Sequence, residues 1–255
     1  DLGPLTTILE EKTIIAHNAS FDMAWLRVKC GLRCRLIFCT MTASRLLTAG
    51  MRPGNKLDDC LERHLKVPPG PDQSRSDWGS ILLTEEQITY ASRDIDHLHA
   101  LADVLETEIR KHDLRKVWEL ERALLPHVVD METAGFAVDE DRLASIRDTS
   151  RADADTSCEL LREALGKPDL NPASSQQLLA ALREKGVMLD STKEEVLKAN
   201  DDGHLVSMIL AFRAAQKRAQ QAVSLLDHIQ PDGRIHASFE PTGTSTGRFS
   251  SKEPN

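Results

Sequence analysis

A chain of 255 residues has room for one large or two ordinary domains, and 40% apolar with 28% charged residues is a globular composition that excludes disorder as the dominant state. No run nears the roughly 20 apolar residues of a membrane span, and the charged start lacks a basic stretch followed by an apolar one; this argues against secretion or membrane residence and for a cytoplasmic protein. Lys and Arg number 32 against 40 Asp and Glu, a net charge of −8, so any nucleic-acid contact must come from local basic patches.

Thr13-Ile14-Ile15-Ala16-His17 is a short, partly β-branched apolar run that predicts a buried strand, and Phe21 to Lys29 then predicts a helix stopped by Gly31. Leu36 to Thr40 predicts a second strand and Met41 to Leu47 a helix ending before Gly50, with Pro53 and Gly54 beyond. Lys66 to Ser80, interrupted by Pro and Gly, predicts a surface loop. Thr84 with Gln87 three residues on is a capping-box pattern. Ile88, Ala91, Ile95, Leu98, Leu101, Leu105 and Ile109 follow at helical spacing and predict one long helix with a single apolar face.

From about residue 114 helical patterns take over, which divides the chain into 1–113 and 114–255. Trp118 to Met131 predicts a helix closed by Gly135, and a long amphipathic helix is predicted from near Asp139 to Gly166. Ser174 with Gln177, and Ser191 with Glu194, mark two further helix starts. Met208 to Ile229 predicts the next helix, and Pro231-Asp232-Gly233 turns the chain into a strand over Arg234 to Phe239. The five cysteines are odd in number, and Cys30, Cys34 and Cys39 lack the paired short spacings of a zinc site, so they are expected to be buried, reduced thiols.

Two carboxylates stand apart by their surroundings. Asp22 follows the first strand at a helix start, and Asp94 lies one helical turn beyond Tyr90, the single Tyr of the chain, on the same face. Carboxylates that hold hard divalent cations, with a group that orients water, are what two-cation phosphodiester cleavage needs. From residue types alone, a capped helix start and a surface hydrogen bond explain the same pattern.

The motifs carry a resemblance. His17-Asn18-Ala19-Ser20-Phe21-Asp22 resembles the second motif of the DnaQ-like 3′–5′ exonucleases, and Tyr90-Ala91-Ser92-Arg93-Asp94 resembles their third motif in its tyrosine form. Thr89 stands where the histidine form has its general base. Ser76-Asp77-Trp78 with Leu83, Thr84 and Gln87 resembles the approach to that third helix in exonuclease domains of the ribonuclease D and polymerase type. Farther on, Gly233-Arg234-Ile235-His236, Thr244 to Ser251 and Pro254-Asn255 resemble the segment entering the palm of family A DNA polymerases. Leu120 to Leu143 is similar to the opening helices of that polymerase domain, Leu170 to Leu178 to the start of its thumb, and Phe212-Arg213 with Lys217 to the returning thumb helix.

The resemblance implies an incomplete α/β ribonuclease-H-like exonuclease domain followed by a mainly α-helical polymerase thumb region. It implies a DNA-directed DNA polymerase with a 3′–5′ proofreading exonuclease, present as a fragment, using two Mg²⁺ or Mn²⁺ ions. Partners would be primer–template DNA, single-stranded 3′ ends and, for the whole parent, dNTPs, with the protein a monomer. Asp22 and Asp94 would bind metal and Tyr90 would orient the attacking water. Asn18, Asn171, Ser174, Arg213, Lys217, Thr246, Arg248 and Asn255 would contact DNA, with a helix cap an equal reading of Asn18 and a capping box a strong rival for Ser174. Three departures stand out: no Asp-x-Glu motif precedes Thr13, Pro71 occupies a position where relatives often have Lys, and Cys39 replaces a common Asp. A stand-alone 3′–5′ exonuclease of the ribonuclease D type and a non-catalytic nucleic-acid-binding module are the competing expectations.

Overall fold

The computed structural model describes residues 3–49, 51, 53–199, 204–244 and 246–254. The chain folds as two units, one comprising the residues up to Gly135 together with His236–Glu253 and the other Phe136–Ile235.

In the first unit, α1 (Gly3–Glu11) leads into β1 (Ile14–Ala16), α2 (Ala19–Cys30), β2 (Ile37–Cys39) and α3 (Thr40–Leu47). The two strands pair in parallel with Ile14 opposite Ile37 and Ala16 opposite Cys39. Their short, uninterrupted apolar runs suit strands covered on both faces. Alternation along β2 sends Phe38 to one side and Ile37 and Cys39 to the other. Phe38 joins a cluster with Cys60, Leu61, Leu101, Leu105, Ile109 and Trp118, while Ile37 and Cys39 join Ala19, Met23, Leu125 and Val129. Phe38 meets Trp118 edge to face at 4.9 Å, and the Arg122 guanidinium lies 5.8 Å from both ring centroids. Gly31 ends α2 in the left-handed conformation at φ 69, which a residue without a Cβ adopts at little cost.

Three helices follow: α4 (Leu57–Leu65), α5 (Glu85–Asp96) and α6 (Leu98–Lys111). The sequence reading omitted α1 and α4, although Leu57, Cys60, Leu61 and Leu65 have helical spacing. It also predicted one helix from Thr84 through Ile109, whereas His97 interrupts it and separates α5 from α6. The apolar positions of α6 are buried, but Ile88 and Ile95 of α5 are 53% and 66% exposed. A common periodicity had joined two helices whose burial differs. The capping box at the start of α5 forms as predicted: Gln87 N–H donates to Thr84 Oγ1 at 3.2 Å, and Thr84 N–H to Gln87 Oε1 at 2.9 Å.

The first unit is completed by α7 (Arg115–Ala134) and the antiparallel pair β5 (Ser238–Glu240) and β6 (Ser250–Lys252). The second contains β3 (Phe136–Ala137), α8 (Glu140–Leu165), α9 (Ser175–Glu184), α10 (Glu194–Ala199), α11 (His204–Asp227) and β4 (Arg234–Ile235). Leu161 and Leu165 of α8 pack with Ile209 and Phe212 of α11, and Leu178, Leu182 and Leu197 close the same core. The strand predicted over Arg234 to Phe239 is two strands. Arg234–Ile235 pairs with β3, and Ser238–Glu240 pairs with β6. Cys34 and Cys39 are buried, whereas Cys30 is exposed, contrary to the expectation for all three.

Candidate functional site

Parallel strands bring their carboxyl ends to one edge, where open α/β sheets place ligands. His17 and Asn18 follow β1 there, and Thr40 follows β2. His17 Nε2 donates to the Asn55 carbonyl at 3.0 Å, and Nδ1 lies 2.9 Å from Thr40 Oγ1. Burial pushes the His17 pKa below 6.5, so the ring is neutral in this network. Asn55 extends it: Ser44 Oγ donates to Asn55 Oδ1 at 2.7 Å, and Arg63 Nη1 donates to Ser44 Oγ at 3.0 Å.

Asn18 adopts the left-handed conformation at φ 61 and ψ 47, uncommon for a residue with a Cβ, and its side chain makes no capping bond to α2. The side-chain cap that the sequence offered as an equal reading is therefore not made. Asn18 lines a cleft of about 1280 Å³, also bordered by His17, Arg45, Glu121, Thr244 and Thr246. Cys39, where the resemblance leads one to expect Asp, is 3% exposed, and its Sγ accepts from Ala19 N–H at 3.4 Å and Thr42 N–H at 3.5 Å. Its role here is to cap helices at the strand ends.

Asp22 lies in the first turn of α2. Desolvation raises its pKa above the ordinary carboxylate value, opposed only by a backbone hydrogen bond. Phe21 and Trp25 beside it are exposed and meet edge to face at 6.4 Å, with Lys29 Nζ 5.3 Å from the Trp25 ring. Arg27, on the same helix, is paired with Asp130 at 2.5 Å.

Tyr90 and Asp94 occupy α5. Trp78 packs against Tyr90 at 6.1 Å, and its loop is stapled to the helix by Gln87 Nε2, which donates to Ser76 Oγ and to the Asp77 carbonyl, each at 3.0 Å. Burial and the charges of Asp94, Asp72 and Asp58 push the phenol above its ordinary pKa. Asp94 is raised by burial first and by Asp58 second, with Arg93 opposing. Asp58 and Arg93, which pair at 3.6 Å, are thus parts of this neighbourhood that motif reading overlooked. Asp58 stands too far along the chain for any spacing rule to reveal it.

The charges that act on Asp94 are those of Asp58 and Arg93. Among the described residues no group of three or more His, Cys, Asp or Glu is placed to hold a metal ion. The two carboxylates are the right donor type, but the set on this chain does not fit a two-cation centre by itself.

In the second unit, Ser174 Oγ accepts from Gln177 N–H at 3.4 Å, while Gln177 Oε1 accepts from the Asn171 N–H at 2.9 Å rather than returning to Ser174. Asn171 Oδ1 accepts from Ala173 N–H at 3.0 Å, so these polar groups are engaged in shaping the start of α9. The box predicted at Ser191 does not form: Ser191 Oγ accepts from Lys193 N–H at 3.4 Å, and α10 starts at Glu194. Arg213 is turned inward, with Nη2 donating to Thr192 Oγ1 at 2.8 Å and Nη1 to the Thr192 carbonyl. Lys217, one turn on, is exposed.

Near the end of the chain, Thr244 Oγ1 accepts from Arg248 N–H at 2.8 Å and donates to the Arg248 carbonyl at 3.0 Å. That closes a tight loop with Thr246 and the Arg248 side chain exposed. Asn255 lies outside the described residues.

Comparison with known proteins follows the same division. The family described as "3'-5' exonuclease" matches residues 1–110, and "DNA polymerase family A" matches residues 140–255. DNA polymerase I of Aquifex aeolicus is 28% identical over 100% of this chain and 48% of its own length. DNA polymerase I of Rhizobium leguminosarum is 28% identical over 100% of this chain and 27% of its own. The solved POL domain of Pol1 from M. smegmatis, in complex with DNA primer-template and dNTP, superposes with a TM-score of 0.80 at 26% identity, covering 100% of this chain and 44% of that one. The chain thus spans half or less of the length of these relatives. With these two successive matches and similarity to DNA polymerases I along all of its own length, the chain belongs to the family A DNA polymerases, as a fragment that includes a 3′–5′ exonuclease match and a polymerase match.

Proposed function

We propose that the parent protein is a template-directed DNA polymerase that proofreads by 3′–5′ exonucleolysis, acting as a monomer in the cytoplasm. In this reading residues 1–113 carry part of the nuclease and residues 114–255 the thumb and palm entry. The succession of exonuclease and polymerase matches in one chain carries the proposal. A stand-alone exonuclease leaves the match over residues 140–255 without a purpose.

The Tyr90 phenol, kept protonated through the neutral range, would donate to and orient the water that attacks the terminal phosphodiester. Asp22 and Asp94 would contribute to a Mg²⁺ or Mn²⁺ centre that needs further carboxylates, for which the family's Asp-x-Glu motif is the source. Asn18 would contact the departing nucleotide from the strand edge. On the polymerase side, Thr246 and Arg248 offer an exposed hydroxyl and guanidinium to the primer–template, and Lys217 offers a charge to phosphate. Asn171, Ser174 and Arg213 would meet DNA only through the backbone they shape or by exchanging present partners, and Asn255 would extend the Arg248 contact. No described helix is long and apolar enough to cross a membrane.

The test uses the parent protein with Mg²⁺, a 3′-labelled single-stranded DNA and a primed template with dNTPs. Digestion of the first and extension of the second are expected, with the 255-residue chain alone giving little of either. A parent that does neither sinks the proposal. Binding of primed duplex should weaken as salt rises, through counterion release.

A further inference from the structure

The loop before α5 passes close to the helix at one point. A Cβ on Gly70 would collide with Arg93 Nη1 and Cζ, so the guanidinium occupies the space that any other residue would fill. Arg93 Nη2 also donates to the Pro68 carbonyl and lies 3.6 Å from Asp58 Oδ1. One side chain therefore ties three separate pieces of the chain together: α5, the Pro68–Pro71 loop and the start of α4. Pro71 and Gln73 of the loop line, with Glu86, Tyr90 and Arg93 of α5, a cavity of about 300 Å³.

We propose that Arg93 is a positioning residue: its seat over Gly70 holds the Pro68–Gln73 loop as the wall of the cavity beside Tyr90, and that wall receives the end of a single-stranded DNA. The inference rests on the reading of Tyr90 and Asp94 as a nuclease site and adds what shapes it. Arg93 is three residues from Tyr90 on α5 and lines this cavity with it, so moving the loop moves a wall of the space that Tyr90 faces. A guanidinium suits the task because its planar fork bonds a carbonyl and a carboxylate at once, which an ammonium does with less directional control. The charge of Arg93 also opposes the influence of Asp58 on Asp94.

Gly70 provides a selective test. The group its new methyl would meet is the mobile tip of a long side chain, so Gly70→Ala displaces the guanidinium without forcing the backbone. Tryptic cleavage of the 255-residue chain after Lys66 and Arg75, which flank the loop, should speed up in Gly70→Ala and Arg93→Ala, while cleavage within α6 stays slow. Affinity for a fluorescent oligothymidylate should fall about tenfold in both variants, and Arg93→Lys, which keeps the ion pair, should recover part of it. In the parent enzyme the same substitutions should raise KM for single-stranded DNA and leave kcat within about twofold. Unchanged cleavage at Lys66 and Arg75 in Gly70→Ala overturns the latch; faster cleavage with unchanged oligonucleotide affinity overturns its positioning role. A parent that binds but does not hydrolyse, with affinity still lost in Gly70→Ala, supports the latch and removes the nuclease reading instead.

Discussion

Glu132, in the last turns of α7, accepts the backbone N–H of Phe239 on Oε1 at 2.6 Å, joining residues 107 apart in sequence. The neighbouring His236 adds a second link, its Nδ1 bonding the Glu132 carbonyl at 2.8 Å. Through these contacts the β5–β6 pair belongs to the first unit although most of the second unit precedes it in the chain.

Removing that carboxylate leaves a part-buried N–H without its acceptor. Glu132→Ala should therefore cost about 1–3 kcal/mol of stability, and Glu132→Gln, which retains an oxygen, markedly less. Urea unfolding of the three proteins measures the difference. Equal midpoints would show that water replaces the carboxylate without penalty.

His17 makes stability depend on pH. Its folded-state pKa lies below the ordinary 6.5, as does that of His64, in both cases chiefly through burial. The unfolded chain then binds protons more readily than the folded one, so these groups contribute stability above about 6.5 that is lost as pH falls toward their folded values. Melting temperatures taken downward from neutral pH should decline, and His17→Gln should decline less steeply. A wild-type curve flat across that window contradicts the assignment.

Asp22 and Asp94 have the opposite linkage. Desolvation raises both pKa values, so the folded chain prefers the protonated carboxyl, and that preference is lost as pH rises through the folded values. At neutral pH Asp22→Asn and Asp94→Asn should each raise the melting temperature, on the order of 1–2 °C given the solvent access of these groups. In acid, where the native acids are neutral, the advantage should vanish. Destabilisation at neutral pH by both amides would point to structural partners for the carboxylates.

Tyr90 can be followed directly because no other Tyr absorbs. Its phenolate should appear above the ordinary pKa of 10.0 in an ultraviolet titration of the folded chain. Asp58→Asn should bring the midpoint down by removing a negative charge, and Arg93→Gln should move it up by removing a positive one. Shifts in the reverse directions would refute the placement of these charges around the phenol.

Local chemistry made much of this protein legible from its residues. The β-branched run ending at His17, the stop at Gly31 and the reciprocal cap of Thr84 and Gln87 each depend on interactions within a few residues, and each forms where its residues require. The motifs around Asp22 and Tyr90 could be read as resemblances for a related reason, since each is confined to one short segment. What the fold alone decided was which distant segments meet. Periodicity carried the predicted helix through His97 because it cannot sense what covers each half, and alternation joined Arg234 to Phe239 because it cannot sense that the two halves pair with different strands. Asp58 and Gly70 came to bear on Tyr90 and Arg93 for the same reason: Coulomb interactions and close packing act through distance in space, and chain order does not fix that distance until the helices and the loop between them have packed.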